Sequence, residues 1–231
     1  VTRDLGHIGV VVAARTDSQR LPGKVLMPLG GKPLVLFLLE RLVGSRQADA
    51  IVLATSDQET DDILAKTVSD AGFEVVRGAK DDLIARYLLA ADLYGFDTIV
   101  RVTGDCPFVD AETLDYCLQT CRRSDAPFTV ASTKGRFPVG IDYEIFFVDS
   151  LRAIATRDDL IDDDREHLTL YFYRKPQEFI EIAIRPKTEW QECQSIWTVD
   201  YPADYDRVVA AIRDLGPQPT VAMLSTWSVT D

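Results

Sequence analysis

Short unbroken apolar runs alternate along the chain with stretches whose apolar positions recur every three or four residues. His7–Ala14 (HIGVVVAA) is a β-branched run without polar alternation, which predicts a strand buried on both faces, as in parallel sheets. Pro33 stands where a helix begins, and Leu34, Phe37, Leu38, Arg41 and Leu42 hold helical spacing until Gly44. Ala50–Ala54 (AIVLA) is the next strand. Ser56-Asp57 offers a hydroxyl and a carboxylate to cap a helix through Ile63, Leu64 and Val68 that stops at Gly72. Phe73–Val76 reads as a short strand. Asp81–Leu93 reads as a helix with Leu83, Ile84, Tyr87, Leu88 and Ala91 on one face and Gly95 closing it, and Thr98–Val102 as a strand again.

Beyond Asp110 a helix runs through Leu114, Tyr116 and Leu118, and then the rhythm loosens. Phe128–Ser132, Tyr143–Val148 and Phe179–Ile184 read as strands, Leu151–Ala155 and Glu166–Tyr173 as helices, Ile196–Val199 as a last strand and Asp204–Leu215 as a closing helix. Strands alternating with helices predict an α/β fold, a mainly parallel sheet covered by helices on both faces. With 231 residues, no internal repeat and no linker, a single domain over 1–231 is expected. Its less regular part, around 128–195, is expected to be an inserted subregion.

Charge narrows the function classes. The 37 acidic residues outnumber 25 Lys+Arg for a net charge of −12. Duplex binding rests on counterion release from many basic contacts, and no basic stripe is present, so no nucleic-acid partner is expected. The longest apolar run, Leu34–Leu39, gives way to Glu40 and Arg41, far short of a bilayer span. Val1-Thr2-Arg3-Asp4-Leu5 lacks a signal-peptide pattern, and Cys106, Cys117, Cys121 and Cys193 form neither a disulfide framework nor a zinc-type pair. A cytoplasmic protein with reduced thiols and no membrane partner is expected.

Cations gather locally despite the acidic total. Ala13-Ala14-Arg15-Thr16-Asp17-Ser18-Gln19-Arg20-Leu21-Pro22-Gly23-Lys24 follows the first strand, where ligands sit in open α/β sheets. Arg15, Arg20 and Lys24 face one acid, Asp17, beside the Ser18 hydroxyl and Gly23. Charge, donors and close backbone approach are what a polyphosphate requires. The loop is neither a Walker A sequence nor a GxGxxG fingerprint, and a solvated turn with locally paired charges has the same composition. Thr103-Gly104-Asp105 ends one predicted strand and Val199-Asp200 another. If both strands lie in one sheet, Asp105 and Asp200 converge on the phosphates and Mg²⁺ is implied, because it takes one or two carboxylates plus phosphate oxygens. Taken singly, Asp105 reads as a cap and Asp200 as the start of a turn before Pro202.

Arg77-Gly78 with Asp81, Asp82 and Arg86 has the chemistry to read a base or ribose edge, although Asp81 also reads as a helix cap and Arg86 as an ordinary exposed residue. Gly140, Asp142 and Glu144 in one segment, and Arg165, Glu166 and His167 in another, are candidate acceptor contacts. The second segment, from Asp163, doubles as a helix-capping sequence. His7, at a strand edge, reads as structural.

The residues resemble a known family. Ala14-Arg15, Ser18 and Arg20-Leu21-Pro22-Gly23-Lys24, followed by Pro28-Leu29-Gly30-Gly31-Lys32-Pro33-Leu34, look like the opening of the cytidylyltransferases. The likeness is strongest to the SpsF-like, spore-coat polysaccharide branch, related to the CMP-sugar-acid synthetases. Ala54-Thr55-Ser56-Asp57, Arg77-Gly78 with Asp81-Asp82, Arg101-Val102-Thr103-Gly104-Asp105-Cys106-Pro107, Asp164-Arg165-Glu166-His167 and Trp197-Thr198-Val199-Asp200 are similar to that branch in the same order.

The resemblance implies a Rossmann-like nucleotidyltransferase fold in which Mg²⁺ and CTP bind first, an acceptor oxyanion attacks the α-phosphorus and pyrophosphate leaves. Carried over by motif, Arg15, Arg20 and Lys24 hold the triphosphate, Asp105 and Asp200 the metal, and Arg77 with Gly78 the nucleotide. Ala13, Ala14, Ser18, Gly23, Asp82, Thr103 and Gly104 complete the nucleotide set. The implied acceptor is a small anion, a sugar acid or a phosphonic acid, and the implied assembly a homodimer, with Tyr143–Val148 and Tyr171-Phe172-Tyr173 as its apolar surface. Thr16-Asp17 stands where the branch has Met-Gly, and Gln19 where a small hydroxyl residue is common, so an added negative charge faces the phosphate loop. Two readings compete: a nucleotidyltransferase acting on a sugar phosphate, and a nucleotide-sugar-dependent glycosyltransferase. The latter needs Asp-x-Asp at a central strand end, where Asp105-Cys106-Pro107 lacks it, and Asp162-Asp163-Asp164 is expected in a loop.

Overall fold

In the computed structural model, which describes residues 2–191 and 195–228, the first apolar run forms β1 (Ile8–Ala13), with every residue from Ile8 to Val12 buried. It pairs in parallel with β4 (Ala50–Ser56) on one side and β6 (Thr98–Thr103) on the other, and β5 (Glu74–Gly78) adds in parallel to β4. Beyond β6 lie β8 (Glu144–Phe147), β7 (Val130–Ser132) and β9 (Glu181–Ala183), in the sheet order β5-β4-β1-β6-β8-β7-β9. Among the described strands only β8 runs against the rest, since it is antiparallel to both neighbours while β7 and β9 pair in parallel. A two-residue hairpin, β2 (Pro28–Leu29) with β3 (Lys32–Pro33), turns at Gly30-Gly31 and has no counterpart in the expectations above.

Side-chain alternation along the strands splits the core in two. Val10, Val12, Leu53 and Val100 face α1 (Leu34–Leu42), α2 (Asp62–Asp70), α4 (Ala111–Arg123) and the C-terminal helices α8 (Pro202–Leu215) and α9 (Val221–Thr226). Val11, Val52, Val76 and Ile99 face α3 (Leu83–Tyr94), α5 (Val148–Ala155) and α7 (Leu170–Arg174). Helices therefore cover both faces of a mainly parallel sheet, as the alternation predicts. No helix among the described residues is long and apolar enough to cross a membrane. Cys106, Cys117 and Cys121 are buried free thiols, and Cys193 lies outside the described residues.

Five local expectations are corrected. Ile196–Val199 is not a strand: Trp197 donates to Val139 O at 2.7 Å and Val199 to Asp105 O at 2.8 Å, two different segments, so no ladder forms. The helix expected over Glu166–Tyr173 is two helices, α6 (Asp162–His167) and α7, parted at Leu168, whose φ of 50° is the one positive value at a non-glycine among the described residues. Leu168 is fully buried, so the break turns α7 to bury Tyr171 and Phe172. The carboxylate capping α3 is Asp82, which accepts from Ala85 N at 2.8 Å, rather than Asp81. Ser56 does not cap α2 either, because its hydroxyl donates to the Asp61 carboxylate and the helix begins at Asp62. Asp162-Asp163-Asp164 is likewise not a loop but the first turn of α6.

Candidate active site

β1, β4, β5 and β6 point the same way, and their carboxyl ends open onto one cleft of about 710 Å³. The chain passes from β1 to β4 on one side and later to β6 on the other, so the cleft sits where strand order reverses, the usual ligand crevice of open α/β sheets. Of the residues named from sequence, Ala13, Ala14, Arg15, Ser18, Arg20, Lys24, Thr103, Gly104, Asp105, Glu166, His167 and Asp200 line it.

Gly104 is required by closeness. A Cβ there would lie 2.5 Å from Ala14 Cβ and 3.0 Å from Ala13 O, while its own N–H donates to Ala13 O at 2.8 Å. This contact locks the end of β1 to the end of β6, the strand that delivers Asp105.

Asp200 arrives by a different route. Trp197 is fully buried, edge-on to Phe108 with ring centroids 5.1 Å apart, and Val199 N–H bonds Asp105 O. Gly140, at φ 93°, allows this crossing, since a Cβ there would fall 2.6 Å or less from the Trp197–Thr198 peptide. Asp105 and Asp200 are thereby brought to one point without sharing a sheet.

That point is held by Lys24. Its Nζ donates to Asp105 Oδ2 at 2.8 Å, Asp200 Oδ1 at 2.9 Å and Val199 O at 2.8 Å, using all three ammonium donors. Burial, the largest single influence, pulls the lysine pKa down, but the two carboxylates together outweigh it and leave it above the ordinary lysine value. Arg20 adds an ion pair to Asp200 Oδ1 at 2.7 Å and lies over the Tyr201 ring.

The rest of the loop is tied down on the opposite side. Thr16 donates through its N–H (2.8 Å) and hydroxyl (2.7 Å) to Asp61 Oδ1. Burial alone would raise the Asp61 pKa, yet the bonds from Ser56 and Thr16 bring it below the usual aspartate value. Gly23 does not line the cleft and closes the loop by donating to Thr16 O at 2.9 Å. Arg15 lies between acids, 3.5 Å from Asp17, 3.8 Å from Asp81 and 3.9 Å from Glu166. Asp17 also pairs with Lys80 at 2.7 Å.

The base-reading residues named from sequence divide: Asp81 and Arg86 line the cleft, and Arg77, Gly78 and Asp82 do not. Arg77 turns away from the cleft, donating to Ser56 O at 3.0 Å and Gln58 O at 2.9 Å and pairing with Asp62 at 2.7 Å. Gly78 packs on Arg86, and Asp82 is spent on its helix cap and on Arg165 at 2.8 Å, so neither it nor Arg165 lines the cleft. Arg86 and Lys80 join Arg15, Arg20 and Lys24 as cations that do. Arg86 is 2% exposed rather than an ordinary surface residue, and donates to Ala79 O and Lys80 O. The sequence signal for it is its spacing of three and four residues from Leu83 and Ala90 on the buried face of α3.

The Gly140–Glu144 group lies behind the cleft wall. Asp142, its pKa raised by burial, accepts from Gly140 N at 2.9 Å. Glu144 is 1% exposed and fully engaged by Arg101, Lys134 (2.9 Å) and the Tyr173 hydroxyl (2.6 Å). Burial works against its charge, but Arg101 and Lys134 prevail and lower its pKa to about 2.

A cleft built from a cationic post-β1 loop and two converging aspartates is a nucleotidyltransferase arrangement, and residues 9–221 match the family described as cytidylyltransferase. The chain belongs to the cytidylyltransferase family. This cytidylyltransferase is 33% identical to the spore coat polysaccharide biosynthesis protein SpsF of Bacillus subtilis, over 94% of its own length and 91% of that relative. It is also 33% identical to the 3-deoxy-manno-octulosonate cytidylyltransferase of Aeromonas hydrophila, over 71% of the chain and 62% of that enzyme. A solved cytidylyltransferase from Leptospira borgpetersenii superposes with a TM-score of 0.86 at 27% identity, covering 97% of this chain and 99% of the other. The fold is accordingly the nucleotidyltransferase type that the resemblance implies.

Proposed function

We propose that this cytidylyltransferase transfers CMP from CTP to a small anionic acceptor, a sugar acid or a phosphonic acid, and releases pyrophosphate. The observation that carries the reading is the meeting of Lys24, Arg20, Asp105 and Asp200 at the floor of the cleft. Arg15, Arg20, Lys24 and Lys80 neutralise and orient the triphosphate, and Arg86 with the Ala79–Lys80 backbone forms the wall for the nucleoside. Glu166 and His167 on α6 face the acceptor, whose own oxyanion attacks the α-phosphorus, so no protein nucleophile is required. Asp162-Asp163-Asp164, spent on starting α6, leaves the glycosyltransferase reading without a motif at the cleft.

Asp105 and Asp200 fit magnesium. Their oxygens already converge on one cationic atom, Lys24 Nζ. Among the described residues no group of three or more His, Cys, Asp or Glu could hold a metal, which suits an ion shared with substrate phosphates rather than a closed protein site. When bound, magnesium supplies positive charge beside the reacting phosphate. Asp105→Asn and Asp200→Asn are each expected to lower turnover by about 10² to 10⁵-fold. Near-normal turnover in either variant removes that residue from the site.

The deciding experiment is pyrophosphate release from each of four nucleoside triphosphates against sugar acids, sugar phosphates and phosphonates. CTP with a sugar acid or phosphonate is the expected pair, and turnover with only a sugar phosphate, or with another nucleotide, overturns the reading. In this reading the enzyme is cytoplasmic, a single domain, and a homodimer paired through the region around 128–195. A single-chain mass by light scattering at micromolar concentration removes the dimer.

A further inference from the structure

The Lys24 ammonium reaches both candidate metal carboxylates at once. It spends its three donors on Asp105 Oδ2, Asp200 Oδ1 and Val199 O, at 2.8, 2.9 and 2.8 Å. Its side chain is 9% exposed, so little solvent screens the contact. Arg20 takes the same Asp200 Oδ1 at 2.7 Å. Two cations against two carboxylates leave no net charge at the cleft floor to attract a further cation.

A divalent ion bound to these oxygens meets like-charge repulsion from an ammonium at hydrogen-bond distance, in surroundings that weaken it little. The lysine stem is long and flexible, whereas its backbone is fixed in a single turn at Lys24–Leu26, so the head can leave while the loop stays. Lys24 and Arg20 both line the cleft where a polyphosphate would sit.

We propose that Lys24 is a place-holding counter-cation. It keeps Asp105 and Asp200 together in the nucleotide-free enzyme and keeps divalent metal off them. It yields the two carboxylates only when a polyphosphate offers its ammonium another anionic partner, so metal binding is conditional on nucleotide. Lys24 is thus a positioning residue for the site as well as a phosphate contact, an inference that rests on the metal assignment of Asp105 and Asp200.

The test is Mn²⁺ binding to the nucleotide-free, full-length protein, read from the electron paramagnetic resonance signal of free Mn²⁺. Wild type is expected to bind Mn²⁺ weakly. Lys24→Met and the milder Lys24→Gln are expected to bind it about tenfold or more tightly, Lys24→Arg to behave as wild type, and Lys24→Met with Asp105→Asn to lose the gain. A gain in affinity cannot arise from unfolding, and circular dichroism identifies a variant that fails to fold. Tight Mn²⁺ binding by wild type alone, or no gain in either folded variant, overturns the proposal. Because no nucleotide is present, a gain together with no pyrophosphate release from any triphosphate leaves Lys24 standing and removes the proposed function. Activity without the gain does the reverse.

Discussion

Asp17 carries a negative charge into a loop otherwise built of cations, 3.5 Å from Arg15 and 2.7 Å from Lys80. Under the proposed function it is a resident anion that an incoming polyphosphate must displace. Asp17→Asn is therefore expected to tighten pyrophosphate and CTP binding about two- to fivefold at low salt, the scale of an exposed ion pair, with the gain shrinking as salt rises. Calorimetry at two ionic strengths checks it, and weaker binding in the variant means that Asp17 helps to hold the ligand. At this scale the sequence made Arg15, Arg20, Lys24, Asp105 and Asp200 legible, because strand ends and charge are local properties. It did not separate Arg77 from Arg86: which of two arginines faces a cleft depends on backbone carbonyls, those of Ser56, Gln58, Ala79 and Lys80, that come from separate segments.

The elements are held in register by contacts at their ends. Gly104 binds the end of β6 to the end of β1, and Gly104→Ala would drive a methyl group to 2.5 Å from Ala14 Cβ. Overpacking of this kind costs about 1–3 kcal/mol, and here it also shifts Asp105, so both melting temperature and turnover are expected to fall. Adding Ala14→Gly is expected to restore part of each. If the second substitution restores neither, the clash lies elsewhere. Long periodic elements such as β1, α1, α3 and α8 were legible because burial imposes their spacing. The segment Ile196–Val199 looked like a strand because of its β-branched and aromatic residues, yet its two buried side chains, Trp197 and Val199, serve a crossing over Gly140 instead of a ladder.

At the scale of the whole molecule a pH dependence follows from Glu144, a buried carboxylate that joins β8 to β6 through Arg101 and to α7 through Tyr173. Its folded pKa of about 2 lies below the ordinary value of 4.5. The unfolded chain therefore takes up a proton first as pH falls. The stabilisation is full above about pH 4.5 and is lost toward pH 2. Melting temperatures of wild type and Glu144→Gln, followed from pH 6 to about pH 2.5, are expected to converge on acidification, with the variant the less stable at pH 6 because Arg101 is left buried without its partner. Parallel curves would mean that Glu144 keeps its proton in the fold.

Sequence by itself determined the α/β class, the position of the cationic loop after β1, the two aspartates and the family resemblance, since each depends on residues close together in the chain. Only the tertiary structure decided that Asp105 and Asp200 meet through Trp197 and Gly140 rather than through a shared sheet, that Arg86 lines the cleft while Arg77 does not, and that Glu144 is a buried tie behind the wall. It also decided that Lys24 stands between the two carboxylates. The physical reason is the same in each case: an ion pair or a close backbone crossing joins segments far apart in the chain, and neither local periodicity nor composition records which distant partner satisfies a buried charge.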